Sequence, residues 1–217
     1  MACASAHYLT VIGTPKRDRQ AERREATRQE ILAAAWEIAH QSGLISVTLR
    51  EIAARIGMQP PSLYSHFASK NAIYDAMFGQ AWRDFHAVLE KEAASFPADP
   101  RGRLLALAST YFDFAVSDLE RHQLMDVPML RGFTPSEEAY RPAVECYEIM
   151  RSVLAEIGIR RQADLDMYTA LAGGFVNQQL ANDPGGDRWR VLLPRALTLF
   201  ADDLGLPAQP GTPRRKQ

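Results

Sequence analysis

The sequence predicts an all-α protein, and three observations carry that prediction. Apolar residues recur at three- and four-residue spacing over long stretches, helix breakers fall between those stretches, and no strand-length run of alternating polarity occurs. With 217 residues and 47% hydrophobic content the chain can bury a substantial core. It divides into a tail over 1–19, a small helical domain over 20–70, a larger helical domain over 71–206, and a second tail over 207–217.

The first helix is expected over about 22–41. Ile31, Ala35, Ile38 and Ala39 form its buried stripe, Trp36 stands beside it, and Ser42-Gly43 ends it. Thr48 with Glu51 three residues on is a capping box, so a short helix starts at Leu49, and Gly57 suits a left-handed helix end. Pro60 and Pro61 belong in the first turn of a following helix, where unpartnered N–H groups are normal; that helix is expected to end near Phe67. Leu63 and Phe67, four apart, face inward against Ile52, Ala53 and Ile56. Pro61, Ser62 and Ser65 then point outward, with Tyr64 and His66 on the flanks.

Two short helices joined by a glycine turn and presenting such a face suit the DNA major groove. There hydroxyls bond base edges and a proline ring touches a thymine methyl. Ser69 reads as the N-cap of the next helix, which puts Lys70 at the positive end of a helix dipole. A phosphate bound there would be held by lysine, dipole and free N–H groups together. Taken alone, such a lysine is a solvated surface charge; its company, Thr48, Arg50, Tyr64 and His66, favours the DNA reading.

The order Thr-x-Arg-x-Ile-Ala, then Gly, then Leu-Tyr-x-His-Phe-x-x-Lys resembles the DNA-binding domain of the TetR family of bacterial regulators over roughly residues 24 to 75. The resemblance implies phosphate contacts from Thr48, Tyr64 and Lys70, and base contacts from Arg50, Pro60, Pro61, Ser62 and Ser65. For His66 it leaves two roles open, DNA contact or bracing of the helix. The Pro-Pro pair departs from the family pattern and leaves few long side chains on the reading helix, so Arg50 carries more of the direct readout. An arginine–guanine pair supplies about 1–3 kcal/mol of discrimination.

A long helix over 70–96, carrying Tyr74, Met77, Ala81, Phe85, Val88 and Leu89 at helical spacing, is expected to connect the two domains, and the breaker cluster 97–102 follows it. Further helices are expected over 103–119, 137–157, 164–180 and 187–204. A short helix or irregular link should occupy 121–136. Pro194 either kinks the last helix or lies in its first turn. Val191, Leu192, Leu193, Ala196, Leu197, Leu199 and Phe200 surround the axis of that helix, and Gly173-Gly174 costs up to about 1 kcal/mol per glycine unless a close helix approach offsets it. Both features, like the resemblance, suggest a homodimer through about 164–204, the alternative being a tightly packed monomer core. The resemblance also implies a small-molecule effector among the middle helices, and Tyr111, Phe112, Met125, Met129, Tyr147, Met150, Tyr168, Phe175 and Gln178 would suit an apolar one.

The net charge of −1 hides an asymmetry: residues 16–70 hold nine Lys/Arg against six Asp/Glu, +3, which leaves −4 elsewhere. The basic end is the proposed DNA end, and the run Lys16-Arg17-Asp18-Arg19 lies there too. Only two cysteines, Cys3 and Cys146, occur, which suits a reducing cytoplasm, and no segment reads as a signal peptide or a membrane span. His86, His122, Asp126 and Cys146 are read as scattered, without an i, i+4 ligand pair or a Cys-x-x-Cys arrangement, so no metal site is expected. Neither a nucleotide loop nor a nucleophile motif appears, so no catalytic site and no cofactor are expected. The functional expectation is a cytoplasmic, ligand-responsive DNA-binding regulator, a repressor released from operator DNA by its effector. The alternative is a helical protein-interaction module without sequence-specific DNA binding.

Overall fold

The computed structural model describes residues 19–127 and 130–207. The two tails apart from Arg19, which begins the first helix, and Pro207, so including Lys16-Arg17-Asp18, and the candidate pocket residue Met129 lie outside the described residues. Among the described residues the protein is all-helical: α1 (Arg19–Ser42), α2 (Leu49–Arg55), α3 (Pro60–Leu63), α4 (Lys70–Ala93), α5 (Pro100–Val116), α6 (Leu119–Asp126), α7 (Glu137–Glu156), α8 (Gln162–Asn182) and α9 (Leu193–Asp203). None is long and apolar enough to cross a membrane.

The helix starts follow local chemistry. Thr48, Ser69, Asp99, Asp118 and Ser136 each accept a backbone N–H three residues on. Each such cap contributes about 0.5–2 kcal/mol relative to alanine. Gly57 closes α2 with φ +68°, the left-handed conformation that a side chain resists. Pro194 is settled as an initiator: it stands in the first turn of α9, which begins at Leu193, later than the sequence suggests, because 188–192 form turns. Regular helix in α3 stops at Leu63, short of the expected end, and hydrogen-bonded turns carry the chain on: Ser65 N and Ser65 Oγ both donate to Ser62 O, and Phe67 N donates to Leu63 O at 2.9 Å.

Two apolar cores are joined through α4. Its first half contributes Ile73, Tyr74, Met77 and Phe78 to a core with α1, α2, Leu63 and Phe67; its second half sends Phe85 and Leu89 into a core built by α5, α7, α8 and α9. Val88, grouped from its spacing with the buried residues of α4, is instead 37% exposed. The first core also takes in Leu124 and Ala139, so it reaches past residue 70 into the second half of the chain. Gly79 lets α4 and α7 approach: a Cβ there would lie 3.3 Å from the Ala139 Cα.

Candidate DNA interface and effector cavity

The amino-terminal face is built on a rigid base. Leu63 and Phe67 are fully or almost fully buried, as are Ile52 and Ala53 beneath them, which fixes the orientation of the segment 60–67. Pro60, Pro61, Ser62 and Ser65 are exposed, Tyr64 is 57% exposed, and Thr48 and Arg50 at the start of α2 share that exposure. The Arg50 guanidinium has no hydrogen bond or ion pair among the described residues, whereas Arg55 on the same helix is tied to Gln41 and Glu37 of α1. Arg50 is therefore available to a partner and Arg55 is not.

His66 is half-buried, and its backbone carbonyl accepts Arg28 Nη1 at 2.5 Å. Arg28 also lies over the Phe67 ring at 4.2 Å, and Arg24 Nη2 donates to Ser65 O at 3.2 Å. Two arginines of α1, four apart, thus hold the carbonyl end of the reading segment, where positive charge is favoured. Neither was singled out from the sequence; their i, i+4 spacing was the available signal. Arg23 and Arg24 with Ser65 and His66 line a shallow groove beside this face.

Lys70 opens α4 behind Ser69, as the capping pattern predicts, but its ammonium is engaged: Nζ donates to Ile45 O at 3.0 Å and lies 5.0 Å from the centre of the Tyr74 ring. Partial burial lowers its pKa. Two of its three N–H donors remain for a phosphate. Four residues on, Tyr74 donates its buried hydroxyl to Leu44 O at 2.6 Å, so the start of α4 locks the turn between α1 and α2.

The carboxy-terminal domain holds a partly open cavity of about 300 Å³ walled by α4, α5, α6, α7 and α8. Of the nine candidate pocket residues, Tyr111, Tyr147, Met150 and Tyr168 line it. Phe112 does not, because it turns into the core under Arg190. Met125 faces a second, smaller cavity beside α6. Phe175 packs edge-on against Trp189, and Gln178 is exposed, accepting from Asn182. Its neighbour Gln179 is the buried amide; its Oε1 takes the backbone N–H groups of Trp189 and Arg190 and so fixes the turn into α9.

The sequence reading missed the polar centre of the cavity. His122 and Asp126, taken from the sequence as unrelated, stand four apart on α6 and meet, His122 Nδ1 lying 3.1 Å from Asp126 Oδ2. Tyr111 donates to the same oxygen at 3.1 Å, and His122 Nε2 faces Asn177 Oδ1 at 3.1 Å. His122 is only 2% exposed. Burial pulls its pKa down, but the hydrogen bonds to Asp126 and Asn177 and the Asp126 charge together outweigh burial, and the net shift is upward. Burial pushes the Cys146 thiol up to about 12 and raises the Tyr111 and Tyr168 phenols, so all three stay neutral.

At the other end of α6, the N-cap Asp118 accepts from Arg121 N and meets His40 Nε2 of α1 at 3.0 Å. The outer face of α8 leaves Met167 (59% exposed), Ala170 and Gly174 uncovered, and Leu192 and Leu199 (62% exposed) stand out beside α9. No close approach within the chain accounts for Gly173-Gly174: a Cβ on either would meet nothing within 4 Å. Gly173 faces the cavity and Gly174 the outside.

A three-helix domain with a helix-turn-helix, set on an all-helical body with an internal cavity, defines the class to which the chain belongs. Residues 31–77 match the family model described as bacterial regulatory proteins, tetR family. That segment is similar to the DNA-binding domain of the tetR family. It is 33% identical over 102 residues to the HTH-type transcriptional activator FasR of Mycolicibacterium smegmatis, covering 47% of this chain and 46% of that protein. The chain spans about half the length of the curated relatives it matches. In fold it is similar to the regulatory protein SCO4313 (TM-score 0.71, 22% identity, 87% of this chain and all of that one). It is also similar in fold to the transcriptional regulator FadR of Bacillus subtilis, solved with stearoyl-CoA (TM-score 0.59, 21% identity, 79% of this chain and 96% of that one). These likenesses point to a family of regulators, not to one of enzymes.

Proposed function

We propose that the protein is a cytoplasmic, homodimeric transcription regulator without catalytic activity, a repressor that leaves its operator when a small molecule fills the cavity of each carboxy-terminal domain. The observation that carries this reading is the pairing of an exposed polar face over 60–65, flanked by the unpartnered Arg50, with a rigid base that continues through α4 to the cavity wall. Thr48, Tyr64 and Lys70 hold phosphates; Arg50, Pro60, Pro61, Ser62 and Ser65 meet the bases, and His66, braced through its carbonyl by Arg28, flanks the reading segment. The DNA-binding part comprises α1 to α3 and the start of α4, and the remainder binds effector and partner.

The uncovered apolar stripe on α8 and the exposed leucines by α9 support pairing of two copies there, which sets two reading segments in successive major grooves about 34–36 Å apart. The effector shifts operator affinity by the difference between its binding to the two states. A genome-wide footprint of the purified protein, followed by titration of a recovered site, tests the reading. Affinity for that site should fall steeply with rising salt, because phosphate contacts release counterions. A salt-insensitive association, or no preferred site at low salt, would instead favour a protein-interaction module.

A further inference from the structure

The cavity is hydrophobic but not featureless, and its charges and hydrogen bonds restrict what fits. His122 and Asp126, which both line it, are in contact, so the Asp126 carboxylate is paired whenever His122 carries its proton. The neutral Cys146 thiol and the Tyr111 and Tyr168 phenols add no charge. An ion entering would give up its hydration with no unpaired counter-charge to receive it, a large loss in such surroundings. An uncharged guest escapes that loss.

The hydrogen bonds are unevenly used. Asp126 Oδ2 and Asn177 Oδ1 are both engaged by the network around His122, and the Tyr147 hydroxyl accepts from Gln162 Nε2. By contrast the Tyr168 hydroxyl, on a side chain 3% exposed, has no partner among the described residues, and Trp82 Nε1 is buried without one. Asn177 is exposed, and its amide N–H groups face water. The Trp82 indole can only donate and the Tyr168 hydroxyl is free to donate, so an accepting atom on a guest would satisfy both. Trp82, Phe85, Leu107 and Met150 supply the apolar walls around them.

We infer that the cavity binds an uncharged, mainly apolar molecule carrying a hydrogen-bond-accepting oxygen, such as a ketone or ester carbonyl, which the Tyr168 hydroxyl anchors. This rests on reading the cavity as the effector site. At about 300 Å³ it lies at the small end of ligand pockets, which favours a compact ring system or short chain. The rival is a cation seated on Asp126 Oδ1 among the aromatic rings, a geometry that puts it close to His122.

The test uses the full-length protein and four probes on one scaffold: naphthalene, 2-acetonaphthone, 2-naphthoate and 2-naphthylmethylammonium, titrated by tryptophan fluorescence and calorimetry. The ketone should bind roughly three- to tenfold more tightly than naphthalene, the worth of one buried hydrogen bond, and more tightly than either ion. Tyr168→Phe should abolish that margin while leaving naphthalene affinity and helix content unchanged. Parity of ketone and naphthalene, preference for either ion, a margin that survives Tyr168→Phe, or binding of none of the four overturns the inference. Operator affinity measured alongside separates the two readings. A ketone that binds through Tyr168 but leaves operator affinity unchanged supports the site and refutes only its regulatory role. Release by a compound that does not compete with the ketone likewise refutes the cavity as the effector site and leaves ketone binding there standing.

Discussion

Arg28→Ala separates positioning from direct contact at the DNA face. Arg28 reaches the reading segment through two interactions, the hydrogen bond from its guanidinium to His66 O and the stacking of that group on the Phe67 ring at 4.2 Å. A charge-assisted hydrogen bond contributes about 1.5–3 kcal/mol and an exposed cation–π contact about 0.5–1 kcal/mol. The Arg28 side chain is 34% exposed, so both contributions fall toward the lower ends, and a combined loss of about 1.5–2.5 kcal/mol follows. In a chain of this size that lowers Tm by roughly 3–10 °C. Binding to the recovered operator should weaken because the segment 64–67 loosens, yet the slope of log affinity against log salt should not change, since no phosphate contact is removed. Calorimetry and a salt series on the same preparation read both quantities. An unchanged Tm together with a slope reduced by about one would show that Arg28 is a phosphate ligand and not a brace.

Arg50→Ala should cost about 1–3 kcal/mol on the best operator and flatten the preference among variants of it, whereas Tyr64→Ala and Lys70→Ala should weaken all sequences to a similar degree; a binding array scores the difference. Leu199→Asp, at a site 62% exposed in one chain, should leave monomer helix content intact and shift sedimentation toward the single chain; a variant that stays dimeric refutes pairing through α9. For His122 the sign follows from its raised pKa. Its contribution to stability is full below the ordinary histidine value near 6.5 and fades as pH rises through the higher folded value. The stability gap between wild type and His122→Gln should therefore be widest below the ordinary histidine value and narrow as pH rises above it. The facing groups are Asp126, with Tyr111 behind it, and Asn177, and denaturant titrations across that range check it.

Much of the fold is written in local chemistry that a sequence displays. The capping residues Thr48 and Ser69 and the stripe through Ile31, Ala35 and Ile38 need only near neighbours along the chain to declare themselves, and the structure has them where the pattern puts them. Which residues of 60–67 are exposed was legible for the same reason, because burial of Leu63 and Phe67 dictates which side of a short helix points out. The cavity was not. Whether an aromatic residue in a helical stripe lines a void or fills a core depends on partners from other helices, so Tyr111 and Phe112, adjacent in sequence, have opposite fates. The same dependence hid Gly79, whose smallness matters only because Ala139 lies against it. The His122–Asp126 pair stands at helical spacing yet was overlooked in the sequence, and its meaning came only when Tyr111 and Asn177 arrived from α5 and α8.

The placement of α6 has a mechanical consequence. Eight residues make a rod of about 12 Å, and this one is gripped at both tips: Asp118 by His40 of the first helix, Asp126 by Tyr111 at the void. A rigid rod held in that way cannot slide along its own axis without stretching or releasing one of its two grips. A push on the inner tip would therefore load the outer one, a single helix length away, and with it the helix whose arginines hold the Ser65 and His66 carbonyls.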